Sequence, residues 1–185
     1  MSLRNPDHVI QMTMRLAESE ENSAIRLNAN GGNSILVVCE PQRELEYIQA
    51  IQSLMQPEKY NIIDLTSILS NFVAQNRADI EAAFDLLQGS TQQVFKAPVG
   101  EEGTDLFGMI LEAINQSQAA NKFPVLINTG VLYGTGIGNI HIMESEQVMR
   151  APLPLVILYP ATREQDTLLY LGKRHSSKYR CMVVE

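Results

Sequence analysis

Hydrophobic positions along this chain switch repeatedly between a continuous pattern and a helical one. Residues 34–39 are an unbroken aliphatic and β-branched run, the pattern of a strand covered on both faces. From 43 to 55, Leu45, Ile48, Ile51, Leu54 and Met55 recur every three or four residues, with Glu44, Glu46, Gln49 and Gln52 between them. That spacing predicts an amphipathic helix, stopped by Pro57. The alternation continues with a strand at 60–64, helices at 67–74 and 78–87, a helix carrying Leu106, Met109, Ile110, Ala113 and Ile114, and a strand at 123–128. A glycine-rich loop at 129–138 leads to a helix at about 140–149 and then to the most apolar strand, 155–159, expected at the centre of the sheet. Polar residues 162–166 connect it to 167–171, and a basic turn precedes the last run, 179–184.

Strands separated by helices predict right-handed crossovers and a mainly parallel sheet with helices on both faces, a three-layer α/β fold. The last two runs are placed as a possible antiparallel hairpin at its C-terminal edge. Pro6 and Asp7 open a helical N-terminal segment carrying Val9, Ile10, Met12, Met14, Leu16 and Ile25, and Gly31-Gly32-Asn33 ends it. A length of 185 residues suits one domain, divided into the helical segment 1–33 and the sheet core 34–185.

Charge narrows the function classes. The formal net charge of −7 opposes a broad grip on a polyanion, so direct nucleic-acid binding and anionic-membrane binding are disfavoured. The two cysteines, Cys39 and Cys181, sit in apolar runs with no CxxC or Cys/His ligand spacing, which reads as small hydrophobes in a reducing cytoplasm. No apolar run reaches the length of a bilayer span and the first residues lack a signal pattern, so a cytoplasmic protein without a membrane anchor is expected.

Phosphate chemistry in such a sheet belongs to the loop after the first strand. Here that loop is Glu40-Pro41-Gln42-Arg43, with no glycine, one carboxylate and a proline lacking an N–H donor. Neither GxGxxG nor GxxxxGK[ST] occurs in the chain, and no GxSxG elbow marks a hydrolase nucleophile. His8, His141 and His175 have no metal-ligand spacing, and Asp64 reads as a helix N-cap. No catalytic, cofactor-binding or metal-binding residue is assigned. Two segments remain as contact candidates: the loop with Thr129, Gly130, Gly134, Gly136 and Gly138, followed by His141, and the basic turn with Arg174, Lys178 and Arg180. A solvated turn and a locally bonded histidine are the plain alternatives.

Several short motifs resemble the BrxB family of bacterial BREX phage-defence systems. They are Leu158-Tyr159-Pro160, Leu169-Tyr170-Leu171-Gly172 and Lys178-Tyr179-Arg180-Cys181, supported by Glu40-Pro41 with Glu44-Leu45, Asp64-Leu65, and Thr129-Gly130-Val131. Ala161 departs from the glycine common after the Tyr-Pro pair, and the 134–138 loop is richer in glycine than the family pattern. The resemblance implies a non-catalytic accessory or scaffold component that contacts a PglZ-like protein and other BREX components, with no cofactor. The alternative is a small nucleotide- or anion-binding α/β enzyme using Thr129, Gly130, His141 and Arg180.

Overall fold

A computed structural model describes residues 4–19, 22–87, 91–97, 105–165, 167–176 and 179–185, and among these described residues are seven strands and eight α-helices. The strands are β1 (Ser34–Cys39), β2 (Tyr60–Asp64), β3 (Phe123–Ile127), β4 (Leu155–Glu164), β5 (Thr167–Tyr170), β6 (Arg174–His175) and β7 (Met182–Val184). The helices are α1 (Pro6–Ala17), α2 (Asn22–Asn28), α3 (Glu44–Leu54), α4 (Leu65–Gln75), α5 (Arg77–Leu87), α6 (Leu106–Ala119), α7 (Asn139–Met143) and α8 (Glu146–Arg150). The main sheet runs β2-β3-β4-β1-β7, every neighbouring pair parallel. The most apolar strand, β4, lies in the middle, as its composition predicts.

Alternation along β1 separates two cores. Ile35, Val37 and Cys39 join Val9 and Ile10 of α1 and Ile48 and Ile51 of α3 on one face. Leu36 and Val38 join Phe72 of α4, Ile110 and Ile114 of α6, Ile142 of α7 and Val148 of α8 on the other. Each fully buried aliphatic side chain contributes roughly 1.5–3 kcal/mol, so a one-residue slip of β1 would exchange both sets and is strongly opposed. The N-terminal helices thus belong to the same core as the sheet.

Helix starts follow local chemistry. Asn5 Oδ1 accepts the Asp7 N–H at the head of α1, where Pro6 occupies the first turn. Asp64 Oδ1 accepts the Thr66 N–H and caps α4, as expected. Ser145 Oγ accepts the Val148 N–H and starts α8, so the single helix expected at 140–149 is two short ones divided by that cap.

The C-terminal region differs most from expectation. β4 continues past the parallel sheet: Cys39 pairs with Pro160, and Ala161–Glu164 then pair antiparallel with β5. Pro160 has no N–H to give, so the change of partner falls where the ladder loses a donor. The antiparallel hairpin is formed by β5 and β6. The last run does not join it, because Met182–Val184 lie parallel to β1 at the sheet edge.

Candidate functional site

Open α/β sheets bind ligands at the carboxyl ends of their strands, where neighbouring strands send their connections apart. β1 and β4 send their connections in opposite directions, β1 back past β4 and β3 to the edge strand β2 and β4 through the hairpin and past β1 to β7, so the two pass each other instead of diverging. Beyond β1 the chain folds Pro41–Arg43 into a short 3-10 turn and enters α3 with Glu44. The Glu44 Oε1 is buried without a hydrogen-bond partner, and burial raises its pKa. Two carboxylates, Glu40 and Glu44, therefore stand where a phosphate would arrive. The Cys39 thiol beside them is pushed up by burial first and by the Glu44 charge second, which makes it an inert hydrophobe.

A cavity with polar walls lies where β4 passes into the antiparallel hairpin. About 50 Å³ of space is enclosed by Leu132, Tyr133, Ile137, Gly138, Asn139, Tyr159, Tyr170, Arg174, His175 and Tyr179, among others. Three segments build it: the loop after β3, the centre of β4, and the β5–β6 hairpin with the residues that follow. A second depression, lined by Gln11, Met14, Arg15 and Glu18 on α1, is an open groove whose one carboxylate is already held by Lys59 and Tyr60.

Tyrosines tie the cavity walls together. The Tyr159 ring stacks on Tyr170 at 4.9 Å and meets Tyr179 edge-on at 5.7 Å. Tyr159 Oη lies 2.6 Å from Ser176 Oγ and 2.9 Å from Tyr179 Oη. The Tyr170 hydroxyl donates to the Thr129 carbonyl, while Thr129 Oγ1 donates to the Leu158 carbonyl at 3.0 Å. The hairpin is thereby fastened to the loop after β3, and that loop to β4. Burial pushes the Tyr170 hydroxyl up to about 12 and raises Tyr159 further, so both remain neutral donors.

Of the residues singled out from sequence, Gly138 and Arg174 line this cavity, and Thr129 anchors its wall. Gly134 and Gly136 hold positive φ of 89° and 79°, which assigns them to the turn itself. Gly130 faces Leu171, whose Cδ2 would lie 3.4 Å from an added Cβ. His141 Nδ1 accepts the Gly138 N–H at 3.0 Å, the locally bonded histidine foreseen as the plain reading. Its pKa is lowered by burial first, then by the charges of Lys96 and Arg174. Arg180 points elsewhere, toward Glu144 at 4.0 Å. Lys178 lies outside the described residues.

Sequence reasoning missed Tyr133 and Asn139 and gave Tyr159, Tyr170 and Tyr179 no role beyond a family motif. Asn139 is 4% exposed, and its Oδ1 has no hydrogen-bond partner. Among the described residues no group of His, Cys, Asp and Glu could hold a metal ion, and no helix is long and apolar enough to cross a membrane. No protein-family model, curated protein or solved structure matches the chain.

Proposed function

We propose that this chain is a non-catalytic accessory component of a BREX-type phage-defence system, acting in the cytoplasm through contact with a PglZ-like protein. One observation carries the reading. The three motifs that resemble the BrxB family, around Tyr159, Tyr170 and Tyr179, converge in a single aromatic and hydroxyl cluster. Their shared task is to hold a loop and a hairpin together, which suits a contact surface. Gly138 of the loop and Arg174 of the turn line the same cavity, which supports reading the two expected contact regions together. Tyr133, 54% exposed at that cavity, is the kind of side chain that anchors protein interfaces. Glu40, Pro41 and Glu44 at the end of β1 work against triphosphate binding there.

Co-purification with a PglZ-like protein tests the proposal. A complex at micromolar concentration and low salt, weakened by Tyr133→Ala, is the expected result. No complex under those conditions would defeat it. The alternative, a small nucleotide- or anion-binding enzyme, draws its support from the cavity beside Arg174. A volume of about 50 Å³ is far below the roughly 300 Å³ at which small-molecule pockets begin, so it suits one oxyanion group better than a nucleotide.

A further inference from the structure

Gly138 and His141 are joined by a bond that depends on where one proton sits. The Gly138 N–H donates to His141 Nδ1 at 3.0 Å. The ring stands over the glycine, its Nδ1 and Cε1 3.9 Å from the place a Gly138 Cβ would take. A neutral imidazole has one donor and one acceptor nitrogen, so this contact puts its proton on Nε2. Protonation adds the second proton at Nδ1, and two N–H groups then face each other. The acceptor disappears and a positive charge arises at the same point.

The surroundings oppose that charge. Lys96, two residues past a 3-10 turn at Thr91–Val94, and Arg174 of β6 both act on His141 as cations, and partial burial acts in the same sense. Neither cation makes an ion pair among the described residues; the Lys96 Nζ lies 4.9 Å over the Phe107 ring instead. The carboxylate nearest in sequence, Glu144 at the C-cap of α7, is turned to Arg180 at 4.0 Å. The ionisable groups of the cavity wall besides Arg174 are His175, Tyr133, Tyr159, Tyr170 and Tyr179, none of them a carboxylate.

α7 has five residues, far fewer than the roughly 12 a helix needs to persist alone, so its entry at Gly138 has to be held from outside the backbone ladder. Gly138 also lines the cavity. We infer that the Gly138–His141 pair is a proton-operated latch, which fixes the start of α7 and the adjoining cavity wall while the imidazole is neutral and lets both go when His141 is protonated. A depressed folded-state pKa gives the sign: the latch stabilises fully above the ordinary histidine value and fails as pH falls through the lowered one. The latch needs no partner. That acid should weaken partner contact at this cavity rests on the function proposed above, whereas the experiment below reads the chain alone.

Nuclear magnetic resonance of the full chain, titrated from neutral pH into mild acid, tests it. His141 should be the Nε2–H tautomer at neutral pH and should titrate below the ordinary histidine value of about 6.5. Protection of the Gly138 amide from solvent exchange, corrected for the intrinsic rate at each pH, should fall about five- to tenfold with the same midpoint. Arg174→Ala removes one opposing cation and should raise that midpoint for both probes together. In His141→Gln, checked for native fold by circular dichroism, the Gly138 amide should show no such step. A His141 midpoint at or above the ordinary value would overturn the latch. So would Gly138 protection that ignores the titration, a midpoint unmoved by Arg174→Ala, or a Gly138 step that survives in His141→Gln.

Discussion

Asn33, immediately before β1, offers a quantitative test of what joins the two ends of the sheet region. It is 2% exposed, and its Nδ2 reaches the carbonyls of Val148 and Ala151 at 3.0 Å each and of Leu153 at 3.3 Å. Its own carbonyl accepts the Leu155 N–H at 3.0 Å. The amide has two protons for three acceptors, so two full bonds are the most it can supply. Truncation does not orphan all three, because Arg26 also donates to Ala151 and Gln118 to Leu153. Asn33→Ala should therefore lose about 1 kcal/mol for each of two bonds and about 1 kcal/mol more for the void, roughly 3 kcal/mol in all. Asn33→Asp keeps the volume but turns an acceptor-only carboxylate toward three carbonyls, so it should cost more than alanine, about 3–5 kcal/mol at neutral pH. Packing alone predicts the reverse order. Urea unfolding followed by tyrosine fluorescence and circular dichroism, with unchanged m values, gives both numbers. Lowering the pH should rescue the aspartate variant in part, since a protonated carboxyl regains one donor. An aspartate variant more stable than the alanine variant at neutral pH, or an alanine variant within about 0.5 kcal/mol of the parent, would refute the donor account.

Three further outcomes are expected. Gly32→Ala would place a Cβ 1.8 Å from the Arg180 carbonyl oxygen, and backbone cannot yield cheaply, so a loss of about 1–3 kcal/mol or more is expected. Hydrogen exchange should quicken at Met182–Val184 in that variant, and unaltered exchange there would contradict the contact. Glu44→Gln should melt higher than the parent at neutral pH, because burial raises the Glu44 pKa in the folded state. The folded protein then binds that proton more tightly than the unfolded chain, so its stabilising effect is complete below the ordinary carboxyl pKa and disappears as pH rises through the raised one. Melting curves across that range should converge in acid; equal melting temperatures throughout would be inconsistent. Tyr170→Phe removes the hydroxyl donated to Thr129 and should destabilise by about 1–2 kcal/mol, read by chemical denaturation, with a null effect counting against the fastening of hairpin to loop.

Sheet and helices were largely legible because burial on both faces writes itself into consecutive residues. The 34–39 and 155–159 runs have no exposed position to interrupt them. β4 extends five residues further than expected, since Arg163 and Glu164 are exposed on the hairpin and read as a polar connection. The break between α7 and α8 was hidden because Ile142, Met143 and Val148 continue one apolar stripe across Ser145. Arg174 and Gly138 were picked out separately, as a charged turn and a glycine loop, and nothing local indicates that they share a cavity. Asn139, Tyr159 and Tyr179 belong to different elements, so no spacing rule could gather them. Asn33 looked like part of a glycine turn because every acceptor it serves lies far along the chain.

The placement of β1 also bears on how the polypeptide leaves the ribosome. Its parallel neighbours are β4 and β7, both made only after most of the chain has emerged. Until then six core residues have two open backbone edges, a condition that favours wrong pairing and slow closure. α1 and α3, which flank β1 in sequence and cover one of its faces, can shelter it during that interval. Deleting the N-terminal helices should therefore reduce soluble yield during synthesis more sharply than it lowers the melting temperature of whatever chain does fold.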